Sequence, residues 1–310
     1  MERARPGTER CCGGLLTPDA RTALASLGLA LPDDVRLPPE PRSVHVHDLD
    51  SGREQTYRRD YLNIDRTRFD AWLLALAKER VEVKHSTSFV GPVADGVVLR
   101  TGDRTQAVRT RLVIGADGAN STVRRKCFPE RPGPPLLLAL QAQMARERPL
   151  EAHVVLFARA LTSFYAWAVP KAETVLVGCA FAQRQQAREH FEEVLAWYSR
   201  TLGLIERPGE RSARLLSQPR ARSEVFAGKG NVMLAGEAAG LISPSSGEGI
   251  SFALSSGAGA GRAVASASPG KAYAEQFKPL ARRVLAKTVK ARIIYSPAAR
   301  SWALRLPWCP

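Results

Sequence analysis

The stretch NVMLAGEAAGLISPSSGEGISFALSSGAGAGRAV, residues 231–264, constrains this chain more than any other segment. Asn231 to Ala235 read as a short apolar strand that runs into Gly236-Glu237. A loop of Ala, Gly, Ser and Pro follows, then a long run of small residues with helical character. The order is strand, carboxylate, tight loop, helix. Glu237 sits where a ligand hydroxyl could donate to it, and Pro244 shapes the loop. Gly247 and Gly249 keep the next helix start open, so that its N–H groups can face a group bearing negative charge.

A second segment repeats the logic. In RLVIGADGANSTVRRK, residues 111–126, an apolar strand ends in Gly115-Ala116-Asp117-Gly118. Asn120 or Ser121 can then cap a short helix. Glycines let the backbone come close to a ligand, and a helix N-terminus offers unpaired N–H groups to an anion.

Around these loops the chain shows regular punctuation. Thr17-Pro18-Asp19 predicts a helix start, with the helix running to Gly28. SVHVHDL and REQTYRR alternate across Asp50-Ser51-Gly52 as a hairpin. Asp65 caps a helix that places Phe69, Trp72, Leu73, Leu76 and Ala77 on one face. VEVKHS, VVLRTG and RLVIGADG read as strands, with a hairpin signal at Asp95-Gly96. LLLALQAQM, AHVVLFA, SFYAWAVP and TVLVGCAF predict an antiparallel sheet over about 135–182. QAREHFEEVLAWYSRTLG predicts an amphipathic helix, and a basic helix follows Pro269-Gly270 to about Arg292. This order predicts an α/β (α+β) fold with an inserted β-sheet domain.

Composition excludes several classes. The chain has 310 residues, enough for a large core, and 45% of them are apolar. No apolar run reaches the ~18 residues of a membrane span. The start lacks the apolar core of a secretory signal. Five cysteines, two of them adjacent (Cys11 and Cys12), form neither a disulfide framework nor a zinc-ligand spacing, so no metal is expected and a cytoplasmic setting is. The net charge of +15 comes without a dense basic run or interleaved aromatics, so nucleic acid is not an expected partner. The charge can instead assist an anionic ligand or lipid headgroups. His153 and His190 are expected to be structural.

Taken together, VIGADGANSTVR and VMLAGEAAGLISPSSGEGI resemble two motifs of the FAD-dependent reductases and hydroxylases that share the p-hydroxybenzoate hydroxylase fold. Within that group, ERCCGGLLTPDARTALASLGL, LNIDRTRFDAWL and FYAWAVPKAETVLVGCAF are similar to segments of geranylgeranyl reductases. The resemblance covers nearly all of residues 10–295. It implies FAD as cofactor, held by Arg66, Asp117, Gly118, Gly236, Glu237, Pro244, Gly247, Gly249 and Ile250. Glu237 stands where that group usually has Asp. The resemblance also implies that Tyr165, Trp167, Pro170 and Gly178 line a lipid and flavin cavity, and that Cys12 is a candidate catalytic proton donor. Cys11 receives no role.

The implied domains are an FAD-binding Rossmann-like domain over 1–134 and 215–268, a substrate-binding β-sheet domain over 135–214, and a C-terminal helical region over 269–310. The implied reaction is reduction of carbon–carbon double bonds of a polyprenyl group. A flavin monooxygenase or halogenase of the same fold is the alternative, and a non-catalytic homologue without FAD is a further one. The reductant, a nicotinamide or ferredoxin, stays open. The arginines and tryptophans of RIIYSPAARSWALRLPWCP permit peripheral membrane contact.

One motif of that family is missing from the sequence. There is no GxGxxG, the turn that seats the pyrophosphate of FAD. SSGAGAGRAV, residues 255–264, lies inside a helical run and reads as close helix packing. Each charge-assisted hydrogen bond to pyrophosphate is worth roughly 1.5–3 kcal/mol. Losing two costs on the order of 4 kcal/mol, about a thousandfold in affinity. The sequence therefore predicts weak or lost FAD binding, exposed apolar neighbours where a central parallel strand is absent, and an N-terminally short form of a longer enzyme, through a wrong start or a gene fragment.

Overall fold

A computed structural model describes residues 1–2, 11–182 and 184–305. Glu9 and Arg10 of the cysteine-glycine-glycine segment, and residues 306–310 of the C-terminal tail, lie outside the described residues. The first part of the chain runs β1 (Leu15–Leu16), α1 (Pro18–Ser26), β2 (Ser43–Asp48), β3 (Arg53–Arg58), β4 (Leu62–Asn63) and α2 (Arg66–Lys78). Next come β5 (Thr87–Val93), β6 (Gly96–Thr101), β7 (Arg104–Arg109), β8 (Val113–Gly115) and α3 (Thr122–Cys127). The middle contains β9 (Leu136–Arg146), β10 (His153–Phe157), β11 (Ala166–Lys171), β12 (Thr174–Phe181), α4 (Ala187–Leu202) and β13 (Leu204–Ser217). The chain closes with β14 (Gly228–Lys229), β15 (Val232–Leu234), α5 (Ile250–Ala263), α6 (Pro269–Ile294) and α7 (Pro297–Ala303). The result is a mixed α/β architecture, as the punctuation predicts.

The largest sheet has seven strands in the order β13-β9-β12-β11-β10-β2-β3. Its neighbours are antiparallel except β10 and β2, which run parallel. The four strands expected from 135–182 form its centre. It also takes in the β2–β3 hairpin, so it draws residues from both sides of position 134. Strand alternation gives the sheet two distinct faces. Val154, Leu156, Ala168, Val177 and Cys179 pack against Phe191, Val194, Leu195 and Tyr198 of α4. That helix ends where Gly203 adopts φ +65, a left-handed stop that suits glycine. The opposite face carries Val44, Val155, Phe157, Tyr165 and Trp167 and looks toward the glycine-rich loops.

The second layer is the three-stranded sheet β14-β15-β8, in which β15 and β8 are parallel. Phe252 of α5 and Tyr273, Phe277 and Val284 of α6 bury its Met233 and Leu234. Among the described residues β8 has a strand on one side only, and Ile114 is 41% exposed. No helix among the described residues is long and apolar enough to cross a membrane.

One local expectation of secondary structure changes. VEVKHS does not form a strand: residues 81–86 are irregular and Val81 is 58% exposed. Alternation without a face to bury and a full ladder to join does not hold a strand. Conversely RTQAVR, which lacks apolar alternation, becomes β7 because β6 supplies its backbone partners.

Candidate functional site

The site begins where two parallel strands end together. Val232, Met233 and Leu234 of β15 stand opposite Val113, Ile114 and Gly115 of β8. Ala235 N–H continues the ladder to Gly115 C=O at 2.9 Å. The loops carrying Asp117 and Glu237 therefore leave the sheet side by side at its carboxyl edge, the usual place for ligands in open α/β sheets. A Cβ on Gly115 would lie 2.8 Å from Val123, so glycine there is a packing requirement.

The two loops are wired differently. Asp117 turns back to its own helix. Its Oδ2 accepts from Thr122 N at 2.6 Å and Val123 N at 3.1 Å, and its Oδ1 from Ser121 Oγ at 2.5 Å. Ser121 caps α3 by accepting from Arg124 N at 2.9 Å. The N–H groups that the sequence offered to an anion are already satisfied. Gly118, at φ +80, faces Arg214: a Cβ there would stand 4.0 Å from the guanidinium.

Glu237 has no such local use. Its Oε1 accepts from Ser217 N at 2.7 Å. Burial pushes its carboxyl above the usual range, against the opposing pull of Ser217 N–H and Arg214. The Ser217 hydroxyl is itself buried without a partner among the described residues. Gly236 precedes Glu237 at φ +57 and sets the turn.

The following loop is braced from the large sheet and from α6. Pro244 is buried. Gly247 N–H donates to Ser243 C=O at 2.8 Å, and Ser243 N–H donates to Glu248 C=O at 2.8 Å. Tyr165 OH donates to Ser246 C=O at 2.7 Å, and Tyr295 OH to Ser245 C=O at 3.0 Å. Gly247, at φ +66, lies against Leu216, and Gly249 against Ile242. Ile250 opens α5 and packs on the α1–α2 cluster. The expected open helix start is partly filled, because Glu248 accepts from Ser251 N at 2.7 Å.

A cysteine cradle adjoins this layer. Cys12 Sγ accepts from Arg66 Nη1 at 3.0 Å and from Gly14 N at 3.4 Å. Arg66 also grips Asp70 at 2.8 and 3.1 Å. Burial alone would push the Cys12 thiol up, but Arg66, Gly14 N–H and Lys171 hold it below the ordinary thiol range. Burial pushes the neighbouring Cys11 up. The cations thus distinguish two adjacent cysteines.

The sheet face completes the arrangement. Tyr165 stacks on Phe164 at 4.6 Å and meets Trp167 edge-on at 5.6 Å. The Trp167 ring covers Gly178, where a Cβ would fall 2.5 Å from the indole. Trp167 Nε1 is buried without a partner among the described residues. Pro170 C=O accepts from Asn63 Nδ2 at 2.6 Å and ties the sheet to β4. His153 is buried edge-on to Tyr61, and burial draws it down to about 4, so it stays neutral. His190 pairs with Leu161 C=O at 2.8 Å. An open cavity of about 640 Å³ lies elsewhere, at the amino end of β8 and β15 beside Leu112, Val113, Asn231 and Val232.

Lys171, Asn63, Arg214 and Ser217 were not read as site residues. Lys171 follows Pro170 in a segment already singled out, which was the available signal. The others lack a local pattern, because their partners are remote in sequence.

The family described as FAD binding domain matches residues 44–283. Protein CbrA of Escherichia coli O6:H1 strain CFT073 is 33% identical, with 96% of this chain and 83% of that protein covered. A geranylgeranyl bacteriochlorophyll reductase-like protein from Thermoplasma acidophilum superposes with TM-score 0.80 at 20% identity, over 95% of this chain and 80% of that one. The myxobacterial chondrochloren halogenase CndH, an FAD-dependent halogenase, gives TM-score 0.69 at 18% identity, over 95% and 75%.

Proposed function

The chain belongs to the FAD binding domain family, and on that premise we propose that it is an FAD-dependent oxidoreductase reducing carbon–carbon double bonds of a polyprenyl substrate. The observation that carries the cofactor half is Glu237, a half-buried carboxylate held by Ser217 N–H beside the paired ends of β15 and β8, with its carboxyl pushed up by burial. An acid whose charged form is disfavoured by burial at the end of paired strands is a mark of a ligand site. The residues fit the ribityl and flavin part of FAD: Glu237 as acceptor for a ribityl hydroxyl, with Gly118, Gly236, Pro244, Gly247, Gly249 and Ile250 shaping the backbone around it. Asp117 supports that loop from behind by holding α3. Weak binding of whole FAD belongs to the same reading, because the sequence carries no GxGxxG turn.

When bound, FAD supplies the two-electron chemistry. The protein's own groups do the rest. Tyr165, Trp167 and Phe164 give an apolar wall that excludes water from the carbon chain. Gly178 leaves room for the Trp167 ring. Cys12 Sγ–H is the donor for the proton that balances reduction of a double bond, and Arg66 steadies the sulfur it leaves.

The test is direct. The protein is supplied with reduced flavin and a geranylgeranyl lipid, and the product mass is read. Gain of two hydrogens per double bond supports the proposal. Oxygen-dependent hydroxylation or halogenation moves the protein to the second reading, a flavin monooxygenase or halogenase, which the likeness to CndH favours. Absence of flavin binding in any form returns the non-catalytic homologue.

A further inference from the structure

We infer that Lys171 is a positioning residue for Cys12: it locks the turn that carries the sulfur and, with Arg66, supplies the charge that stabilises the sulfur once its proton has left. The inference rests on the role proposed above for Cys12.

Lys171 ends β11, and its Nζ reaches across to two other segments. It donates to Gly14 C=O at 3.2 Å, to Ile64 C=O at 3.0 Å and to Asn63 Oδ1. Three acceptors match the three protons of an ammonium. Gly14 is what admits it. A Cβ at that position would fall 2.6 Å from Lys171 Nζ and 2.5 Å from Ile64 O, and φ there is +60. The residue whose carbonyl holds Lys171 is also the one whose N–H donates to Cys12 Sγ. Moving Lys171 therefore moves the turn that aims the sulfur. Asn63, fully buried, adds the second tie through Pro170 and Pro39 carbonyls.

The charges agree with this geometry. Arg66 is matched by Asp70, and Asp65 by its helix N–H groups and by Arg68 at 3.8 Å. Among the described residues, that leaves Lys171 in this cradle without a dedicated carboxylate. With Cys12 as thiol the cradle carries one net positive charge; when Cys12 gives up its proton the cradle closes to neutrality. Among the described residues, Cys11 on the same turn and Asp65, the N-cap of α2, are the other titratable groups facing the pair. Burial draws Lys171 down to about 7, opposed by Cys12 and Asp65.

The experiment measures the sulfur without flavin or substrate, so its failure is distinct from failure of the reductase reading. Cys12 is alkylated with iodoacetamide in a Cys11→Ser background from pH 5.5 to 9.5, with the adduct located by mass spectrometry. Lys171→Gln, Lys171→Met and Lys171→Arg are compared, with folding checked by circular dichroism. The expected result is a midpoint below that of an ordinary thiol, a rise of about one pH unit in the Gln and Met variants, and recovery in the Arg variant. A folded Gln or Met variant with an unchanged midpoint overturns the inference. So does an ordinary thiol midpoint at Cys12 without any change at Lys171, a result that needs no variant to fold.

Discussion

The two glycine loops that leave β8 and β15 read alike in sequence and differ in what their acids do. Asp117 directs both oxygens to the start of α3. Glu237 directs one oxygen to Ser217 N–H, remote in sequence, in a setting that burial makes unfavourable for charge. One acid serves the fold. The other is not used by its own helix, and that asymmetry is why Glu237, and not Asp117, is proposed as the acid that meets a ligand.

The comparison can be broken at several points. Gly115→Ala should be the most damaging change, because the new Cβ meets Val123 at 2.8 Å and Leu234 at 2.9 Å. A loss of about 2–3 kcal/mol in urea unfolding is expected. A neutral result would mean that the strand ends are not packed as described. Asp117→Ala should cost about 1–2 kcal/mol, the value of a lost helix cap. Its effect on flavin affinity should be small beside that of a Glu237 variant; the reverse ranking would exchange the roles of the two acids.

Glu237→Gln should do the opposite to stability. The folded state raises the Glu237 carboxyl above its unfolded value. Its contribution is then fully present below the unfolded range, near pH 4, and is lost as pH rises through the folded value. The neutral amide escapes that loss. The variant should gain about 1 kcal/mol at neutral pH, with the gain shrinking as the solution is acidified toward pH 4. Thermal melts across that range give the sign, and a variant less stable than the parent at neutral pH would show that Glu237 supports the fold.

Much of this site was legible in sequence because it is local. Strand, glycine, acid and helix follow one another in each loop, and the caps Thr17 and Asp65 sit where hydroxyl and carboxylate precede a helix. What was not legible is the choice each side chain makes among nearby donors. Nothing in ADGANST says that Asp117 folds back on Thr122, and nothing in GEGIS says that Glu248 takes the Ser251 N–H. Long-range ties are hidden for a different reason. Lys171 meets Asn63 across 108 residues, and only the completed sheet brings them together. The parallel pairing of β2 with β10 is of the same kind, since its register comes from the faces that both strands bury.

The most direct test of the account is a fluorescence titration of FAD against the unaltered chain and Glu237→Ala, at matched concentration and salt. Losing a hydrogen bond to a charged acceptor should weaken binding by about tenfold. Measurable binding to the parent and that weakening in the variant are predicted. Equal affinity in the two proteins would contradict the assignment of Glu237 to the cofactor.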